Sequence, residues 1–301
     1  MFRWELTFAL VAALLAVPPA AAQSRYSEYV AIGDSYSADV VIAGQHGSVT
    51  TEFAPFDCYQ SDQNFPRQVA RALGVARFRD ASCGGAGIDD LTAPQSGVPM
   101  FLGGVNPPQF DRLTPTTDLV TVLLGGNDVG IARAAAQCIT LNPPMLHAQS
   151  CRQAFTAAGS DVMSARIVAA EPKLVAALQA IRARAPKADI FVVNYLAAAT
   201  GPHTCWPYVP IAEFDQSWLA EKGRELNAML ARAAATAGAT LVDTYTPSIG
   251  HDFCQSPNVR WVEGLLPVSV NAPALAIPFH PNSAGASAQA RAVLAAIEAK
   301  P

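Results

Sequence analysis

Four short stretches carry groups suited to nucleophilic chemistry. The first is Gly33-Asp34-Ser35-Tyr36-Ser37, directly after the apolar run Tyr29-Val30-Ala31-Ile32. A serine in a glycine-containing turn at the end of a strand is presented at the sheet edge. Its backbone N–H then faces the crevice, which suits a nucleophile that needs an anion-stabilising donor beside it. Taken alone, Ser beside Asp serves equally as a helix cap. The second stretch is Cys83-Gly84-Gly85-Ala86-Gly87, whose small residues let the chain approach a ligand closely and leave a backbone amide free. Without partners it reads as an ordinary tight turn held at Cys83.

The third stretch, Gly125-Gly126-Asn127-Asp128, follows the run Leu119 to Leu124 and sets the Asn127 carboxamide at a strand end. A carboxamide exchanges protons poorly and donates hydrogen bonds well. Its natural task is to stabilise an oxyanion, worth roughly 3 to 4 kcal/mol in a recorded hydrolase case. The fourth is Pro278-Phe279-His280-Pro281-Asn282-Ser283, one of five histidine sites in the chain. His280 follows the mostly apolar stretch from Val268 to Phe279 and precedes an Asn-Ser cap, where an imidazole can face a crevice. Neutral near pH 7, it can take the Ser35 hydroxyl proton and return it to a leaving group.

The elements that must position these groups alternate. Strand-like runs occur at Tyr29–Ile32, Leu119–Leu124, Ile190–Tyr195 and Thr240–Val242. Helix-like stretches occur at Asn64–Leu73, with Pro66 at its start and Gly74 at its stop, at Val168–Ala185, closed by Pro186, at Ile211–Ala237, and at Ser283–Ala299. Such alternation predicts an α/β fold, a parallel sheet covered by helices on both faces. No low-complexity linker or internal repeat divides the chain, so residues 23–301 read as a single domain. The irregular stretch from Thr92 to Pro115 is a candidate substrate-facing wall, with Val98, Met100, Phe101 and Leu102 as acyl contacts or as ordinary packing.

Composition narrows the function class. Of 301 residues, 51% are apolar and 15% charged, which excludes a disordered chain. The net charge is −4 with no dense basic run, so no nucleic-acid partner is expected. Arg3, the apolar run from Leu6 to Val17, and Ala20-Ala21-Ala22 read as a signal peptide over residues 1–22. That run is too short to span a bilayer core of ~30 Å. The expectation is a secreted protein with no stable membrane insertion, monomeric, without cofactor or metal.

Export places the six cysteines in an oxidising compartment. Fifteen pairings are possible. Chain-order pairing, Cys58 with Cys83, Cys138 with Cys151 and Cys205 with Cys254, is the simplest. A zinc site from His203, Cys205, His251 and Cys254 is the rival use of two of them.

Together the four segments resemble the signature blocks of the GDSL or SGNH hydrolase superfamily: GDSYS at Ser35, CGGAG at Gly85, LLGGND at Asn127 and FHPNSAG at His280, in the same order and at similar spacing. The similarity points to the secreted actinobacterial lipases, esterases and phospholipases of that group, which carry three disulfides. The resemblance implies a three-layer, flavodoxin-like fold, with Ser35 as nucleophile and His280 as general base. It implies an oxyanion hole from the Ser35 and Gly85 amides and the Asn127 side chain. The chain departs from the pattern at Ile277, where the superfamily usually has the Asp that orients the histidine. In some secreted relatives a main-chain carbonyl takes that part, and the carbonyl of Ile277 is the candidate, its direction narrowed by Pro278. Asp243 and Asp252 are alternatives from other loops, while Asp34 and Asp128 read as braces. The implied activity is hydrolysis of carboxylic, lipid-like esters through an acyl-Ser35 intermediate. The alternatives are a carbohydrate O-deacetylase of the same fold or a catalytically silent secreted binding protein.

Overall fold

The computed structural model describes residues 25–41, 54–96, 104–139, 150–201, 205–206, 208–269 and 277–300. The proposed signal peptide, residues 1–22, and the loop residues Val98, Met100, Phe101 and Leu102 lie outside them. Five strands, β1 (Glu28–Gly33), β2 (Arg77–Asp80), β3 (Leu119–Leu123), β4 (Asp189–Val193) and β5 (Thr240–Val242), form one sheet. Their order is β2-β1-β3-β4-β5 and every pairing is parallel. β1 and β3 are buried along their whole length, as apolar strands covered on both faces must be.

The chain moves outward from β1 to β2 in one direction and from β3 through β4 to β5 in the other. Right-handed crossovers therefore send the connecting helices to opposite faces. The first face holds α2 (Phe65–Leu73), which packs on the C-terminal helix α8 (Ser283–Glu298). On the second, α6 (Val162–Arg184) packs on α7 (Glu213–Thr236). Four shorter helices join them: α1 (Ser35–Ala38), which packs on β1 and α2, and α3 (Gly126–Val129), α4 (Ile131–Cys138) and α5 (Cys151–Thr156), which pack against α6 or α7. This is the three-layer, flavodoxin-like arrangement, and its order reverses between β1 and β3. Ligands of such sheets bind beyond the carboxyl ends of the strands at that reversal.

Cap chemistry sets several helix ends. The Asn64 side chain accepts from Arg67 N, and Gly74 ends α2 in the left-handed region at φ 62°. Asp161 accepts from Met163 N and Ser164 N, so α6 starts six residues before Val168 and carries Pro172 inside it. β2 escapes the sequence pattern because Arg77, Phe78, Arg79 and Asp80 form a mostly charged edge strand. Its partner is Glu28, which is 1% exposed. The Glu28 carboxylate accepts from Arg77 Nε at 2.9 Å, Arg79 Nη1 at 2.6 Å, and the hydroxyls of Thr114, Thr116 and Thr117. Burial alone raises its pKa, but these donors win and hold it at about 2.

Because that value lies below the unfolded carboxyl range, the stability Glu28 contributes is present above pH 4.5 and lost as pH falls through about 2. Glu28→Gln leaves two arginines facing a neutral amide. It should cost about 2–3 kcal/mol at pH 7. Chemical denaturation at pH 7 and at pH 3 checks this: the gap between wild type and variant narrows at the lower pH.

Three disulfides join Cys58 to Cys83, Cys138 to Cys151 and Cys205 to Cys254. With both sulfurs of the last pair joined, the zinc quartet has no thiolate to offer, and His203 lies outside the described residues.

Candidate active site

Ser35 is the first residue of α1, immediately beyond β1. The Asp34 side chain caps α1 by accepting from Tyr36 N at 2.9 Å. The turn requires glycine at position 33, where a Cβ would fall 2.3 Å from Ser37 Cβ. Gly33 is clasped by the buried Gln109 carboxamide, which accepts its N–H at 2.9 Å and donates to its carbonyl at 3.0 Å. The Ser35 turn is thus fixed by close packing and by two hydrogen bonds that involve neither His280 nor Asn127.

His280 approaches from the other end of the chain. Its Nε2 lies 2.8 Å from Ser35 Oγ, and its Nδ1 lies 2.8 Å from the carbonyl oxygen of Pro278. A carbonyl only accepts, so Nδ1 bears the hydrogen and Nε2 is left to accept the Ser35 hydroxyl proton. The acceptor is Pro278, not Ile277 as the sequence suggested. Phe279, between them, adopts φ 62°, and this left-handed turn brings the carbonyl two residues back onto the imidazole. Phe279 is held there on three sides. Its N–H donates to the Glu263 carbonyl at 3.1 Å, its carbonyl accepts from Tyr36 Oη at 2.7 Å, and its ring meets Phe253 edge-on.

Asn282 anchors the same segment from below. Its carboxamide oxygen caps α8 through Ala284 N and Gly285 N, while its NH₂ donates to the buried Glu263 carboxylate and to the Arg260 carbonyl. Glu263 pairs in turn with Arg260 at 3.0 Å. Burial of His280 pushes its pKa down to about 4, with the Pro278 bond opposing the shift.

The remaining two segments are held together by hydrogen bonds from both Asn127 and Asp128. Asn127, in α3 just beyond β3, donates from Nδ2 to the Ala86 carbonyl at 2.9 Å. Its second amide hydrogen remains for another acceptor. Gly85 stands in the adjoining turn at φ 76°, with Cys83 N donating to the Gly33 carbonyl at 3.1 Å and Ala86 N to Cys83. The Cys58–Cys83 bond pins that turn. Asp128 braces it as well, accepting Ile88 N.

Tyr195 is the residue the sequence reading left without a role, although an aromatic at the crevice end of a central strand is a usable signal. Its hydroxyl accepts Gly126 N–H at 2.8 Å and donates to Asp34 Oδ2 at 2.5 Å, tying the serine turn to the asparagine turn. Burial pushes Asp34 up to about 7, against the hydrogen bonds from Tyr195 and the Tyr36 amide. Tyr195→Phe deletes both links while keeping the ring. Steady-state kinetics should show kcat reduced about tenfold or more with KM nearly unchanged, at least the size of one of the two lost buried hydrogen bonds. An unaltered kcat would show that the two turns hold their places unaided.

Ser35, Asn127 and His280 all line one cavity of about 340 Å³. Its other walls are mainly apolar, including Ile131 and Ala135 of α4, Leu219 and Leu226 of α7, and Phe253. Gly85 is not among its lining residues; Ile277 is. Asp243 and Asp252 do not reach the imidazole: Asp243 accepts from Asn194, Tyr245 N and Thr246 N, and Asp252 from Thr200, Cys254 N and Gln255.

A hydroxyl, a neutral imidazole and a free amide hydrogen lining a mainly apolar cavity, on a flavodoxin-like sheet, are the parts of an acyl-transfer site. The match to the GDSL-like lipase/acylhydrolase family over residues 31–288 agrees. The chain belongs to that family and is an ester hydrolase of the lipase and esterase class. Lipase 2 of Streptomyces coelicolor is 35% identical over 262 residues, 86% of this chain and 81% of its own. An esterase of Streptomyces scabiei is 31% identical, covering 89% of this chain and 85% of its own. Among solved structures, the extracellular lipase of Streptomyces rimosus superposes with a TM-score of 0.65 at 25% identity, over 90% of this chain and 99% of that one. Among the described residues no helix is long and apolar enough to cross a membrane.

Proposed function

We propose that the protein is a secreted serine hydrolase of lipid-like carboxylic esters. The observation that carries this reading is the 2.8 Å approach of His280 Nε2 to Ser35 Oγ on the wall of a mainly apolar cavity. In the forward step Ser35 Oγ bonds to the ester carbon as His280 Nε2 takes its proton. The carbonyl oxygen becomes an oxyanion held by the Ser35 N–H, the Gly85 N–H and the Asn127 side chain. Collapse expels the alcohol, which receives the proton from His280, and leaves acyl-Ser35. Water then repeats the sequence with His280 as base, releasing the acid. The Pro278 carbonyl fixes the imidazole tautomer but, being neutral, stabilises imidazolium less than a carboxylate does.

Secretion is supported by the N-terminal apolar run, three disulfides, and the extracellular lipase among the structural neighbours. The reading takes residues 23–301 as one domain, acting as a monomer.

Two measurements test the mechanism and the substrate class. Asn127→Ala should lower kcat by roughly 10²–10³-fold while leaving KM near the wild-type value. On a series of aryl esters differing only in acyl length, kcat/KM should rise about fourfold per added methylene until the cavity fills. Exclusive cleavage of acetyl esters would overturn the lipid reading in favour of an O-deacetylase. Failure of Ser35 to react with a serine-directed phosphonate would favour a silent binding protein.

A further inference from the structure

We infer that Gly223 of α7 sets the length of acyl chain the enzyme accepts, by leaving open the gap through which the chain runs between α7 and α4. The inference rests on the ester-hydrolase reading above and names its acyl subsite. α7 turns Leu219, Ala220, Gly223 and Leu226 toward the cavity, the i, i+1, i+4, i+7 spacing of a single helix face. Ile131 and Ala135 of α4, which packs against α7, line the same space.

Leu226 marks the inner end of this wall. Its Cδ1 lies 3.5 Å from where Gly125 would carry a Cβ, two residues from Asn127. Gly223 stands three residues toward the helix start, about 4.5 Å farther along the axis. A Cβ at Gly223 would meet nothing within 4 Å, whereas Cβ atoms at Gly33, Gly126 and Gly285 would each strike a neighbour at 3.0 Å or less. Gly223 is also absent from the positive-φ residues. Neither backbone geometry nor a crowded neighbour demands glycine here, and glycine inside a helix is intrinsically unfavourable. What the missing side chain leaves is open volume continuous with the space beside Ser35, Asn127 and His280.

The test compares wild type, Gly223→Ala and Gly223→Leu on aryl acetate and aryl octanoate. Both substitutions favour the helix, so melting temperatures should hold or rise. With Gly223→Leu, kcat/KM for the octanoate should fall roughly tenfold or more while the acetate stays within about twofold, and Gly223→Ala should fall between. An octanoate-to-acetate ratio equal to wild type in both variants would overturn the inference and leave the ester-hydrolase reading standing. A wild type that cleaves neither ester would overturn both. Should Gly223→Leu melt early, Gly223→Ala, which adds one methyl into open space, still reads the ratio.

Discussion

Ser35→Ala should lower kcat for any ester by roughly 10⁴–10⁶-fold and abolish covalent capture by a phosphonate, with binding of a non-cleavable ester analogue nearly unchanged. The size of the effect follows from the geometry. Only Oγ is removed, so the Asp34 cap on Tyr36 N, the Gln109 clasp on Gly33 and the cavity walls all remain. A half-buried hydroxyl with one partner contributes little to folding, and thermal stability should stay within about 1 kcal/mol. A variant that still turned over at near-wild-type rates would mean that His280 activates water directly.

His280→Ala should cost a comparable factor, at least about 10⁴-fold in kcat, since an unassisted serine hydroxyl is a poor nucleophile. The pH profile of the wild type supplies the sharper evidence. Burial draws the imidazole pKa down to about 4, from 6.5, so the base is neutral and competent well into mildly acidic solution. The acid limb of kcat/KM should therefore fall near pH 4, activity vanishing as pH drops through it. The same shift bears on folding with a definite sign. Between pH 6.5 and about 4 the unfolded chain binds this proton and the folded one does not, so stability declines as pH falls across that window. His280→Ala should lack that portion of the decline in a denaturation series. An acid limb centred near 6.5 would mean the imidazole is solvated, and the tight cage around Phe279 would be wrong.

The parts of this molecule legible in the sequence are those fixed by local chemistry. Ser35, Gly85, Asn127 and His280 each sit in turns that glycine, proline or a capping Asn imposes, and each turn follows or precedes a run of clear period. Long-range consequences were not legible. β2 is recognisable only once Glu28 is known to face Arg77 and Arg79. The acceptor for His280 moved from Ile277 to Pro278 because Phe279 takes a left-handed conformation that no residue type announces. Tyr195 looked like the last residue of a strand, and its bridge needs two partners 161 and 69 residues away in sequence. The loop residues Val98, Met100, Phe101 and Leu102 lie outside the described residues, and the cavity wall that α4 and α7 contribute went unread because their alanines and glycine read from sequence only as helix.

The cross-links hold a consequence for biogenesis. The six cysteines pair in chain order, first with second, third with fourth and fifth with sixth, with spans of 25, 13 and 49 residues. A polypeptide delivered N-terminus first into an oxidising medium therefore meets the correct mate before any competing thiol emerges. If the chain is exported in this way, vectorial oxidation alone would yield the native set out of fifteen, with no inherent need for an isomerase to unscramble it.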